Sequence, residues 1–191
     1  MLAALVAALA VGTPPVKTSV DVWGQAARSA ETVPAHLRVL RRSQTAADAL
    51  PGGGPFTTLA GVASRMHAGR LRGGASRRID TSVGPVYLAP TASGWLCVQL
   101  PNARTCHRGL LRQRVTWSFY TTNPGLEVVG VAADDVARVT LAFAGRTRSA
   151  VLRDNVFTVS RPLTVASTQL PPLGRLLVRY RDGSTAVVPL R

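Results

Sequence analysis

Acidic side chains, lysine, aromatics and cysteine are all scarce in this chain. Nine Asp plus Glu stand against 23 Lys plus Arg, and Lys17 is the single lysine, so the formal charge of +14 is carried almost wholly by arginine. Carboxylate-rich chemistry has little material. Asp134-Asp135 is the one adjacent acidic pair, and before a strand-like run it reads as a turn, not as the facing carboxyl groups of a glycosidase. Asp154-Asn155 likewise falls short of the six or more oxygens a calcium ion takes, and reads as a plain turn. Two cysteines and three dispersed histidines do not complete a tetrahedral zinc site. The G-x-S-x-G, H-E-x-x-H and S-x-x-K signatures are missing, and Gly52-Gly53-Gly54 lacks the Gly-Lys-Ser/Thr of a phosphate loop. No cofactor is indicated. No apolar run reaches the ~18 residues of a membrane-spanning helix, which excludes a multi-span helical membrane protein.

What is present is enough for a real core. A 20.1 kDa chain that is 46% hydrophobic and 17% charged belongs with globular proteins, and at this mass roughly 70% of the extended surface can be buried. Arginine abundance alongside Ala, Gly, Pro and Val is what a GC-rich genome writes by default, so composition alone is weak evidence for a ligand. Position is more informative. The net charge is +2 over residues 1–64, +8 over 65–114 and +4 over 115–191.

Residues 1–12, from Met1 to Gly12, form an uncharged apolar run of signal-peptide length, closed by Pro14 and Pro15. Ala8-Leu9-Ala10 supplies a small-x-small cleavage pattern, although a basic n-region is missing. The segment therefore reads as a signal peptide or as the end of a truncated membrane anchor. Residues 13–33 read as a linker or arm. Residues 34–78 are expected to hold short helices: an amphipathic turn from Pro34 to Arg42, a second over Thr45–Leu50, and a third within Thr57–His67. The breaker Pro51-Gly52-Gly53-Gly54-Pro55 divides them.

From residue 79 to 191 the apolar period is two. Nine short runs, from Val83–Ala89 to Thr185–Leu190, have strand lengths and are separated by Gly, Pro, Asn and Asp turns. Asp182-Gly183 is the clearest hairpin signal. The expected fold is mainly β: an antiparallel sandwich or partly open barrel, with short helices in the N-terminal third.

Cys97 and Cys106 flank Pro101-Asn102, with Trp95, Leu96, Val98 and Leu100 around them. That pattern is a strand, a turn and a return, placing the thiols within bridging reach. In an exported chain they form a structural disulfide. Cys106-His107 also suggests a metal or nucleophile pair, but neighbouring residues of a strand point to opposite faces.

Val39–Pro51 (VLRRSQTAADALP), the cysteine hairpin, Asp134–Leu141 (DDVARVTL) and Arg153–Phe157 (RDNVF) together resemble an uncharacterised group of exported β-rich proteins from high-GC bacteria. The likeness spans most of residues 38–160. It implies an envelope or extracellular location and carries over no catalytic residue.

The feature with a positive functional reading is the basic middle segment. Arg70, Arg72, Arg77, Arg78, Arg104, Arg108, Arg112 and Arg114 flank the cysteine hairpin, and the guanidinium fork suits phosphate or carboxylate groups. On one shared face they would bind polyanions; scattered, they are solvated charges. The expected function is a non-enzymatic binding or structural domain of the envelope, with a protein or an anionic polymer as partner. Membrane attachment would come only through a retained N-terminal segment. An envelope hydrolase using His67 or His107 is an alternative, and a nucleic-acid-binding module is another if the chain is not exported. His36, His67 and His107 each lie close in sequence to an arginine, which would favour the neutral imidazole.

Overall fold

The computed structural model describes residues 33–52, 58–108, 114–122, 125–162 and 174–190. The expectations for residues 1–32, the core of the Gly/Pro breaker, Arg112 and the Tyr120 side chain fall outside them.

The chain is mainly β; the described residues form three four-stranded antiparallel sheets stacked in layers, with no closed barrel among them. The first sheet runs β1 (Arg77–Thr81), β2 (Gly84–Pro90), β3 (Leu96–Gln99), β4 (Arg104–His107) in simple succession. The second holds β5 (Val115–Thr122), β6 (Gly125–Ala132), β10 (Val156–Pro162) and β9 (Val151–Arg153) in that order. The third is ordered β12 (Thr185–Pro189), β11 (Arg175–Tyr180), β7 (Val136–Phe143), β8 (Arg146–Ser149).

Alternation along β6 makes the second sheet the middle layer. Val129 and Val131 point into one core with Ile79, Val86, Leu88, Leu96 and Val98 of the first sheet. Val128 and Ala132 point the other way, with Phe157 and Val159, onto Val139, Leu141, Leu176, Val178 and Val188 of the third. A strand buried on both faces reads as a continuous apolar run, as Val128–Ala132 does. Gly130 is required here because a Cβ would collide with the Thr116 carbonyl and the Phe157 ring.

β8 and β9 occupy one stretch that the sequence presents as a single strand. Ser149 still pairs in the third sheet, Val151 already in the second, and Ala150 between them donates its N–H to the Val139 carbonyl at 2.9 Å. The strand turns the corner between two sheets, as sandwich strands do. Asp154-Asn155 and Ala144-Gly145 are two-residue turns with positive φ throughout, the conformation that matches hairpin twist.

Short helical pieces complete the first layer. A 3-10 turn (Val33–His36) and α1 (Arg38–Arg41) insert Val33, Leu37, Val39 and Leu40 into the first core. A second 3-10 turn spans Ala46–Asp48. α2 (Leu59–Arg65) starts where the Thr58 hydroxyl accepts the Gly61 N–H at 3.2 Å, and covers the other face of the first sheet with Leu59, Val62 and Ala63. No helix among the described residues is long and apolar enough to cross a membrane.

Candidate functional site

Cys97 and Cys106 stand directly opposite each other on β3 and β4 and form a disulfide. Both are almost fully buried, in a cluster with Leu59, Val62, Ala63, Ala68 and Ala89. α2 lies on this face, so the bond is sealed and not presented to a substrate, as a structural staple requires.

The basic middle segment is spread through the first sheet and its surroundings. Arg77 and Arg78 are adjacent on β1 and therefore point to opposite faces. Arg77 is 5% exposed, and its guanidinium donates to the carbonyls of Arg42, Ser76 and Leu40. Four of its five N–H groups are engaged by backbone carbonyls, so its main part is structural. Arg78 pairs with Asp80 at 2.8 Å. Arg104 sits on the opposite edge strand, about 14 Å away at sheet spacing, and its Nε is buried with no hydrogen-bond partner. Register places Arg78, Tyr87, Gln99 and Arg104 in one row across the sheet, on the face that also carries the disulfide. Arg114 lies in the second layer, held by Asp135 at 3.6 Å and against the His36 ring at 3.2 Å. Arg70, Arg72 and Arg108 are exposed in loops. Register thus brings Arg78 and Arg104 to one face, turns Arg77 to the other and leaves Arg114 beside β5.

The histidines also part company. His107 is buried on β4, and burial pushes its imidazole down to about 4. Desolvation, not the neighbouring Arg108, keeps it neutral. His67 lines an open depression with Ser64 and Arg70, but no carboxylate is among the lining residues. A second open cleft, between the β1–β2 turn and β9–β10, is lined by Asp80, Ser82, Arg153 and Thr158, with Ser82 and Thr158 hydroxyls 3.2 Å apart. Among the described residues no three His, Cys, Asp or Glu side chains gather as a metal ion would need.

Two carboxylate hubs gather charged and backbone donors: Asp48, which the sequence reading did not single out, and Asp134, which it read only as a turn. Asp48 is buried and accepts both ends of the Arg42 fork at 2.6 and 2.8 Å, the Thr45 N–H and hydroxyl, and the Arg78 N–H at 2.7 Å. The Arg42 fork, aided by those N–H donors, holds its carboxyl far below the ordinary range against the opposing effect of burial. The hub fastens the 46–48 turn to β1. At the far end of the core, Asp134 accepts the Arg38 N–H at 2.9 Å, the Arg41 guanidinium at 2.8 Å and the Asn155 amide at 2.8 Å. Burial opposes its charge, yet those three donors outweigh it and keep the carboxyl below its usual range. Asn155 also accepts the Val39 N–H at 3.0 Å and donates to the Ala132 carbonyl at 2.9 Å. Both hubs tie the N-terminal helical pieces to strands; their charges are satisfied internally.

Compared with known proteins, the chain matches no family model, no curated protein and no solved structure.

Proposed function

We propose that this protein is an exported, disulfide-stapled β-domain of the cell envelope or extracellular space that works by binding, with an envelope protein or an anionic polymer as its partner. The reading rests chiefly on one observation: two cysteines placed directly opposite on paired strands, bridged, and buried beneath α2. Bonds of that kind persist in oxidising compartments and are rare in the cytosol. The signal-peptide-like run at residues 1–12 and the resemblance to exported proteins of high-GC bacteria favour the same location. The best-ordered charges in the first layer maintain structure, so chemistry at that sheet is not required by its electrostatics.

The test is mass spectrometry of the native protein after alkylation without reduction, on separate cytosolic, envelope and culture-fluid fractions. The reading requires an oxidised species outside the cytosol. A cytosolic protein with both thiols alkylated would overturn it.

A further inference from the structure

Alternation on the third sheet leaves one face outside the core. Val139, Leu141, Leu176, Val178 and Val188 are buried against the middle layer, so the intervening residues of β7, β11 and β12 point away from it. On that outer face Arg138 stands directly opposite Arg179, and Arg175 lies four residues further along β11. All three are exposed, and none has a hydrogen bond or ion pair among the described residues. Like charges directly opposite on neighbouring strands repel. On the first sheet Arg78 is paired with Asp80, and the adjoining Arg42 with Asp48, whereas among the described residues no acidic residue shares this face.

We infer that the outer face of the third sheet is a docking surface for a linear phosphodiester polymer of the envelope. One phosphate placed between Arg138 and Arg179, whose Cβ atoms are about 5 Å apart in such a pairing, relieves their repulsion and accepts both forks. Arg175, about 14 Å along the strand, reaches a phosphate roughly two extended glycerol phosphate repeats away. In the row between Arg179 and Arg175, Thr140 and Ser149 offer hydroxyls to the chain between phosphates, beside the apolar Leu177 and Val187; Thr185 stands level with Arg179 and Thr147 level with Arg175.

The composition of the face selects among polyanions. Among the described residues it carries no aromatic side chain, its apolar members being Leu177 and the exposed Val187, so it has neither the stacking platform of a single-stranded nucleic-acid site nor the aromatic anchors of a bilayer interface. The choice of an envelope polymer over a cytosolic one rests on the proposed export; the geometry of the surface does not.

The experiment titrates the purified, oxidised full chain with poly(glycerol phosphate) over a range of salt concentrations. Binding should weaken with salt, and the Arg138→Ala/Arg179→Ala double variant should bind about tenfold more weakly, with a salt slope shallower by about 1.4. Arg175→Ala should lose a few-fold, while a joint Arg70→Ala/Arg72→Ala/Arg108→Ala variant keeps the affinity within about twofold. Thermal unfolding of each variant confirms that the exposed substitutions leave the fold intact. Undiminished affinity in the double variant would overturn the inference, as would tighter binding of single-stranded DNA or of phosphatidylglycerol vesicles at matched salt. An oxidised, exported protein that ignores the polymer retires this surface alone. Polymer binding by a cytosolic, reduced protein retires the proposed location alone.

Discussion

The first and third sheets solve the same folding problem with opposite use of charge. In the first, both faces are packed, by the middle layer on one side and by α2 on the other. Two of the three arginines on its strands are engaged, Arg77 by backbone carbonyls and Arg78 by Asp80, while the third, Arg104, keeps a buried Nε without a partner among the described residues; the adjoining Arg42 is held by buried Asp48. Among the described residues the third sheet packs one face only, and its outward arginines have no described partner. Charge that is paired and buried specifies geometry; charge left facing water without a counter-ion is available to a ligand. On the inference drawn above, the disulfide layer serves stability and the C-terminal layer recognition, the reverse of what arginine density along the chain suggests.

If that division is right, damage to charges should be costly in the first layer and nearly free in the third. The largest loss belongs to Asp48→Ala, which strands the Arg42 fork and the Thr45 and Arg78 N–H groups together. Chemical denaturation should show about 4 kcal/mol less stability, mainly from the Thr45 and Arg78 N–H groups left without an acceptor and from the lost charge-assisted bonds of Arg42, whose guanidinium, 40% exposed, can still reach water. A loss under 1 kcal/mol would erase the contrast.

Next is acid sensitivity. The folded protein holds His107 neutral to about 4, whereas its ordinary value is 6.5. Between these values the unfolded chain binds the extra proton, so stability falls as pH drops from 6.5 to 4 and levels off below, by about 3 kcal/mol in all. His107→Gln should flatten that step. A separate decline follows at lower pH: Asp48 and Asp134, both with depressed values, keep their contribution above about 4 and lose it as pH falls through their folded values. Denaturation midpoints collected every half pH unit separate the two stages.

Removing the staple ranks third. Cys97→Ala/Cys106→Ala should cost about 2.7 kcal/mol for a loop of this length, measurable as a lower unfolding midpoint with the β-rich circular dichroism retained. The smallest effect is expected on the opposite layer, where Arg138→Ala/Arg179→Ala should change stability by no more than about 0.5 kcal/mol, and in the favourable direction. A large destabilisation there would show those arginines to be structural after all.

Much of the fold was legible because strands announce themselves by alternation. Val136–Phe143, Arg175–Tyr180 and the hairpin at Asp182-Gly183 lie where the pattern puts them, with Gly183 at a positive φ. The strand at Arg77–Thr81 was hidden, because three charged residues in five mask its buried positions Arg77 and Ile79. Nothing local reveals that Thr147–Leu152 is shared by two sheets, since the change of partner at Ala150 depends on residues far along the chain. The disulfide could be read from a Pro-Asn turn between cysteines. The Asp134–Asn155 hub could not, for its partners Arg38 and Val39 are 96 and 116 residues distant. Asp134-Asp135 and Asp154-Asn155 were recognisable as turns, but what their side chains hold is decided only by packing.

The most direct measurement is arginine side-chain NMR, following the Nε–Hε resonances of the oxidised protein as poly(glycerol phosphate) is added. The account predicts shifts confined to Arg138, Arg175 and Arg179, with Arg42, Arg77 and Arg78 unmoved. Shifts centred instead on the arginines between Arg70 and Arg114, with the C-terminal three silent, would contradict it.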